Sequence, residues 1–285
     1  CTSEERLPTR IGGVEGYVVD YTMSQCGPGG KARSVWRAAL ESGHACCAKV
    51  QLNNTWEASA QPWLPVMNNV AGHVKNLMDA GVRHLQLSWT LGGYPSPNLK
   101  LAAWLMAGRG DVGAFLRDWL GENLGEVADR AQRKMSSAFS EFPFHVGVLY
   151  TAPQNYGPMA PFFLKKTGWN ATMIGFPYDD LDTWRTIYPP EVFLRQFEKV
   201  AAGFSEAVSI MAPRVGESEA FDDMARMATA AQCHFSSTRN HIAFVMARDG
   251  GDKAGMRKAV AAEREAVLET ITLRRADSRL GYAAS

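Results

Sequence analysis

Five consecutive residues, Asn53, Asn54, Thr55, Trp56 and Glu57, combine the side chains that acid–base chemistry on a sugar requires. A carboxylate can act as acid, base or nucleophile, a neighbouring Trp shields it from water and supports a sugar ring, and amide groups bind hydroxyls. We therefore predict that Glu57 is a catalytic carboxylate, that Trp56 is a platform, and that Asn53 and Asn54 bind substrate hydroxyls. The same residues also fit an Asn-rich turn before a helix whose first turn carries Glu57.

A second carboxylate, Asp20, stands inside an apolar and aromatic run over residues 14–25. An Asp in such a run is expected to be buried and paired, or to line a cavity. We predict that Asp20 is the second catalytic or supporting acid. The alternative is a structural ion pair with an Arg or Lys that the sequence does not identify.

Trp89 and Tyr94 flank a glycine pair at the end of another apolar run. The glycines allow either a close approach to a ligand or simply a tight turn. We predict that both aromatic residues contact substrate, as walls of a pocket.

These candidates lie in or directly after short apolar runs that alternate with helical patterns. The spacing predicts strands over 14–25, 45–52 and 82–90, and helices over 31–42, 63–80 and 98–107. This order is typical of parallel βαβ units, which bind ligands at the carboxyl ends of their strands. The predicted fold class is α/β, with residues 1–107 forming a partial TIM-type (β/α) barrel that contains late strands only.

Residues 108–285 are predicted to form a mainly α-helical domain with a long insert, rich in Pro, Gly and aromatic residues, over 142–190. Helical patterns cover 111–139, 191–211, 217–248 and 252–276, whereas His145 is assigned to a short strand. A complete eight-stranded barrel needs about 250 residues, and three strands precede the helical part. We therefore expect a fragment of a longer enzyme, and the start at Cys1 without Met favours a fragment over a processed lipoprotein.

Composition limits the remaining function classes. The formal net charge is +1 and no Lys/Arg run stands out, so no nucleic-acid partner is expected. No stretch reaches about 18 apolar residues, which predicts a soluble chain without a membrane span. The five Cys and six His lack metal-binding spacing, so neither metal nor cofactor is predicted. The acidic cluster at Asp179, Asp180 and Asp182 fits a helix N-terminus better than a Ca²⁺ site.

Four segments resemble the last barrel strands and the trailing helical domain of bacterial glycoside-hydrolase-like proteins. They are LSWTLGGYPSPN at 87–98, FSEFPF at 139–144, LYTAPQNYGP at 149–158 and DSRLGY at 277–282. The resemblance implies a (β/α)₈ barrel with its acid/base pair at the carboxyl face, and it implies that Glu57 follows a late strand, the seventh. The second carboxylate would then follow an earlier strand that this chain lacks. The sequence leaves the localisation open, with the periplasm or the extracellular space as options for a full-length parent.

The favoured hypothesis is therefore a glycoside hydrolase-like protein acting on a poly- or oligosaccharide, with activity of this chain alone left open. The alternative is a non-catalytic carbohydrate-binding or scaffold protein that uses the same aromatic platforms. A third hypothesis is a barrel lyase or aldolase, for which Lys49 is the only strand-borne Schiff-base candidate. The sequence leaves the oligomeric state open.

Overall fold

The fold is mainly α-helical. The computed structural model describes residues 3–173 and 175–281, with Thr90 described by its backbone alone, so Cys1 and Tyr282 lie outside the described residues. Helices account for 57% of the described chain and strands for about 6%. The strands form two sheets of two strands each. The predicted partial TIM-type barrel is therefore wrong.

The two sheets differ in direction. Strands β1 (Pro8–Ile11) and β2 (Val14–Tyr17) form an antiparallel hairpin. Strands β3 (Cys47–Val50) and β4 (His84–Leu87) run parallel. Helix α2 (Met67–Asp79) connects them. One βαβ unit of the predicted series is therefore present, because a parallel pair requires such a crossover.

The first predicted strand, over 14–25, is where the barrel prediction fails. Strand β2 ends at Tyr17, and the following residues form no strand. Within this segment Thr22 and Ser24 donate hydrogen bonds to the carboxylate of Glu57. Their polar groups therefore hold an irregular segment against the loop that follows β3, and the first strand of the predicted barrel is absent.

Most predicted helices are present. The long helical pattern over 111–139 is divided at Gly121, whose φ of 81° suits glycine. The predicted helices over 191–211, 217–248 and 252–276 are confirmed within a few residues, whereas His145 caps a short helix and is not in a strand. Besides α2, the described helices are α1 Gly30–Glu41, α3 Trp89–Gly93, α4 Pro97–Met106, α5 Val112–Leu120, α6 Glu122–Phe139, α7 Val146–Thr151, α8 Pro190–Met211, α9 Glu219–Asp249 and α10 Lys253–Ala276. Single 3-10 turns lie at Pro153–Asn155, Leu181–Thr183 and Ala212–Arg214.

The long helices build an aromatic core. Helix α8 contacts both α6 and α9, and α9 also contacts α10. The rings of Phe139 and Phe204 lie within 5.7 Å and 5.1 Å of the Phe235 ring. One continuous hydrophobic core joins these rings to the residues around β3. The domain boundary predicted near residue 108 stays a prediction.

Helices α6 and α8 approach closely at Gly203. A Cβ atom added to Gly203 would overlap the Cβ of Ala138. We expect Gly203→Ala to lower the free energy of unfolding by about 1–3 kcal/mol, because the helices must move apart. Urea denaturation measures this change. Gly30→Ala is the matched control, since a Cβ there meets no atom within 4 Å, and an equal loss in both variants would contradict the prediction.

Candidate functional site

Polar and aromatic side chains from four separate segments meet around the carboxyl ends of β3 and β4. The hydroxyl of Tyr21 donates to Ser88 Oγ at 2.9 Å, and Tyr150 donates to Asp20 Oδ2. The rings of Tyr150 and Trp56 lie 6.0 Å apart. We name this region the strand-end surface; it consists of Asp20, Tyr21, Lys49, Trp56, Ser88, Trp89 and Tyr150.

Trp89 is the most exposed residue of the strand-end surface, with 71% of its area accessible. It begins α3, separated from β4 by Ser88 alone, and its φ of 58° lies in the left-handed region that bulky residues rarely adopt. The ammonium group of Lys49 lies 5.6 Å from the Trp89 ring centroid and 5.9 Å from that of Tyr21. Such strain persists only where the surroundings impose it and is frequent at ligand sites, and the cation–π contacts help to fix the ring.

Asp20 is held in one orientation on the same surface. Its Oδ1 accepts a hydrogen bond from the Tyr21 backbone N–H at 2.7 Å, and its Oδ2 accepts from the Tyr150 hydroxyl. Burial, together with the Asp20 carboxylate, raises the pKa of Tyr150, so its hydroxyl remains a donor at neutral pH. Sequence reasoning missed Tyr150, which lies 130 residues from Asp20 and carried no local signal.

Glu57 lies beneath this surface and is fully buried. One carboxylate oxygen accepts from Thr22 Oγ1 at 2.7 Å and Ser24 Oγ at 2.6 Å, and the other accepts from the Met23 N–H and from Thr55 Oγ1, both at 2.7 Å. Burial raises the pKa of Glu57, and these hydrogen bonds oppose that rise. Its predicted catalytic role stays a prediction. The geometry is that of a carboxylate that fixes the segment carrying Asp20.

A second buried acid, Glu4, supports the same segment. Ser3 Oγ lies 2.5 Å from Glu4 Oε2 and 2.9 Å from His73 Nε2. Burial raises the pKa of Glu4 to about 8 and lowers that of His73 to about 4. Both groups are therefore neutral near pH 7, and the 3.7 Å contact between Glu4 Oε1 and His73 Nδ1 is not an ion pair. The nearby Glu57 carboxylate also contributes to the raised pKa of Glu4.

Three predicted substrate-binding residues do not join the strand-end surface. Asn53 and Asn54 are fully buried. Asn54 Nδ2 donates to the carbonyls of Ala58 and Gln61 at 2.6 Å and 2.7 Å, and Asn53 Oδ1 accepts from Ser96. The half-buried Tyr94 hydrogen-bonds to Arg279. The structure thus brings together Asp20, Trp56 and Trp89 from the predicted set.

Gln51 is a further polar residue that sequence reasoning missed. It directly follows β3 and is fully buried, yet neither its side-chain oxygen nor its nitrogen has a hydrogen-bond partner among the described residues. A buried amide without partners is rare in native proteins. Continuing the β3–β4 register places Gln51 beside Ser88, so its free hydrogen-bonding groups lie close to the strand-end surface.

The acidic cluster at Asp179, Asp180 and Asp182 has structural geometry. Asp180 caps the 3-10 turn at Leu181–Thr183 by accepting from the Asp182 N–H, as the helix N-terminus interpretation predicts. Within residues 3–173 and 175–281, no group of three or more His, Cys, Asp or Glu is placed to hold a metal ion. None of the described helices has the length and apolarity needed to cross a membrane.

The chain matches no protein-family model, and no curated protein or solved structure matches it. The glycoside-hydrolase assignment rested on a resemblance that implied a (β/α)₈ barrel. Since the described chain is mainly helical and contains only two small sheets, that assignment is corrected together with the barrel.

Proposed function

We propose that this chain is a carbohydrate-binding protein whose ligand stacks on Trp89 at the strand-end surface. The observation that carries the proposal is the exposed Trp89 ring, which is fixed on strained backbone next to hydrogen-bonding groups. An exposed indole offers a flat apolar face to the C–H groups of a sugar ring.

The neighbouring polar groups suit sugar hydroxyls. Asp20 retains acceptor capacity beyond its two hydrogen bonds, because an ionised carboxylate has about four lone-pair sites. Lys49 supplies a donor beside the Trp89 ring. A few convergent polar groups around an apolar platform are typical of small-molecule sites.

Binding without hydrolysis fits this arrangement best. Glycosidases place two carboxyl groups about 5–10 Å apart on either side of the scissile bond. Asp20 is the carboxylate at the strand-end surface, whereas Glu57 is enclosed by its own donors. A substrate would reach Glu57 only if residues 22–24 moved away.

Affinity electrophoresis against soluble polysaccharides (xylan, β-glucan, mannan and starch) tests the proposal. We expect retardation by at least one of them, and Trp89→Ala should weaken binding by at least about tenfold, because most of the stacking area is lost. Trp169→Ala is the matched control, since Trp169 is 76% exposed and outside the strand-end surface, and it should change affinity by less than about twofold.

Two results would overturn the proposal. One is the absence of retardation in every polysaccharide. The other is equal affinity of Trp89→Ala and Trp169→Ala, which would place any sugar binding elsewhere. Asp20→Asn provides a second check, because loss of the carboxylate should weaken binding while the Trp89 platform remains.

A further inference from the structure

Strand β4 is the open edge of a two-stranded parallel sheet. All four of its residues are at least partly exposed, including Leu87 at 39%. Parallel sheets are normally covered on both faces and rarely stand alone as a pair. Natural edge strands are usually protected by charged residues or Pro, yet His84–Leu87 contains neither Pro nor Lys, Arg, Asp or Glu.

The hydrogen bonding of β4 shows which backbone groups face outward. The Ser88 N–H donates to the Val50 carbonyl at 2.9 Å, so the even-numbered residues of β4 bond to β3. Leu85 and Leu87 therefore direct their N–H and C=O groups away from β3. No backbone hydrogen bond from the rest of the described chain reaches these four groups.

We propose that a second copy of this chain binds here, with its β4 antiparallel to the first and a two-fold axis at Gln86. An axis perpendicular to the sheet keeps the faces of both copies on the same sides. Leu85 then lies opposite the partner's Leu87, and the two Gln86 residues face each other. This is the register in which all four outward N–H groups meet outward carbonyls.

The edge is complementary to itself, which is why a second copy is the occupant. The outward backbone groups are arranged symmetrically about Gln86, and no like charges are opposed. The guanidinium of Arg83 is turned back onto the carbonyls of Met78 and Val82. The contact is short compared with standard interfaces of about 800 Å² per partner, so we expect a weak dimer, with Kd on the order of 10–100 µM.

Sedimentation velocity between about 1 µM and 1 mM tests the dimer, and two charge variants test its register. In Leu85→Lys/Leu87→Lys, like charges oppose each other across the edge, and dimerisation should weaken by at least about tenfold. In Leu85→Lys/Leu87→Glu, each Lys faces the partner's Glu, and the dimer should be retained. Leu268→Lys on α10 is the control, since Leu268 is 45% exposed and distant in sequence, and it should not affect dimerisation.

Hydrogen exchange of the unmodified chain provides a measurement independent of folding in the variants. Exchange at the Leu85 and Leu87 amides should slow as the concentration rises, whereas the Gln86 amide, bonded within the sheet, should not change. A monomer at every concentration would overturn the proposal, as would equal dimerisation of the two double variants. Neither result bears on sugar binding, which Trp89→Ala tests separately.

Discussion

Replacing Glu57 with Ala is expected to lower the free energy of unfolding by about 3–5 kcal/mol. The substitution removes the acceptor for two side-chain hydroxyls and two backbone N–H groups from residues 22–24, and for a third hydroxyl from Thr55. All of these donors are buried, so water cannot replace the lost acceptor without entering the core. The segment carrying Asp20 and Tyr21 should loosen as well.

Glu57→Gln should have a smaller effect, about 1–2 kcal/mol. If the amide nitrogen occupies the position of Oε1, the hydroxyls of Thr22 and Ser24 can rotate to accept from it. The remaining oxygen then keeps the hydrogen bonds from the Met23 N–H and Thr55 Oγ1. A structural role therefore predicts a graded series, with Gln closer to the unmodified protein than Ala.

Urea denaturation followed by tryptophan fluorescence measures this series. Glu141→Ala is the control, because the partly exposed Glu141 pairs with Lys199 near the surface, and its other partner, Gln196, keeps a hydrogen bond to the Glu141 carbonyl. The Glu141 carboxylate should therefore contribute less than about 1 kcal/mol. If Glu57→Ala is no less stable than Glu141→Ala, Glu57 does not hold the segment. Sugar binding that survives in Glu57→Gln would separate this role from direct contact with ligand.

The sequence identified Glu57 as exceptional but could not show what surrounds it. Its position next to Trp56 after an apolar run indicated a desolvated carboxylate, and Glu57 is indeed buried. Thr22 and Ser24, which bind it, precede it by 35 and 33 residues. No local pattern links donors and acceptor across that distance, so a site carboxylate and a structural one look alike in the sequence.

The fold could be predicted where the patterns were long. The three C-terminal helices have sustained helical periodicity, and all three form. Each strand is only four residues long. Apolar runs of this length do not indicate how many strands pair with one another. Residues 18–25 alternate like a strand, but their polar side chains satisfy buried acids, and tertiary contacts decided the outcome.

The structure brings some of the predicted site residues together and separates others, and their functional roles stay predictions. Trp56 and Trp89 follow the parallel strands β3 and β4 and lie on one surface, whereas Asp20 reaches that surface from an irregular segment. Asn53 and Asn54 were expected to bind ligand hydroxyls, yet Asn54 satisfies the carbonyls of its own loop. Asn side chains serve turns and ligands with the same groups, so residue type alone could not separate the two roles.

The stability of the protein is expected to fall between pH 6.5 and 8.5 because of Glu4. Its pKa rises from an ordinary 4.5 to about 8 on folding. A carboxyl group with a raised folded pKa contributes stability that is complete below 4.5 and is lost as the pH rises through about 8. Between pH 4.5 and about 8, the free energy of unfolding falls by up to about 1.4 kcal/mol per pH unit for one proton. At acidic pH, His73 and His234 lower the stability of the protein. Their folded pKa values of about 4 lie below their ordinary 6.5, so their contribution to the free energy of unfolding is lost as the pH falls from 6.5 through about 4.

Glu4→Gln should remove the part of this slope that Glu4 contributes, since the amide keeps the shape of the side chain and does not titrate, whereas the part from Glu57, whose pKa burial also raises, should remain. Unfolding free energies measured in urea at half-unit steps from pH 6.5 to 8.5 should decline for the unmodified protein by about 1–2 kcal/mol more than for the variant. The measurements stop below pH 9 because the pKa of Cys233 is also raised, from 9.0 to about 12. The contribution of Cys233 to the stability of the protein begins to be lost above pH 9. Glu5→Gln is the matched control, because the adjacent, partly exposed Glu5 pairs with Lys31, which lowers its pKa, so its contribution to stability is already complete at pH 6.5. An unchanged slope in Glu4→Gln would contradict the prediction, because it would mean that Glu4 is already ionised in the folded protein. Glu4 would then contact Ser3 and His73 as a carboxylate and not as a neutral acid.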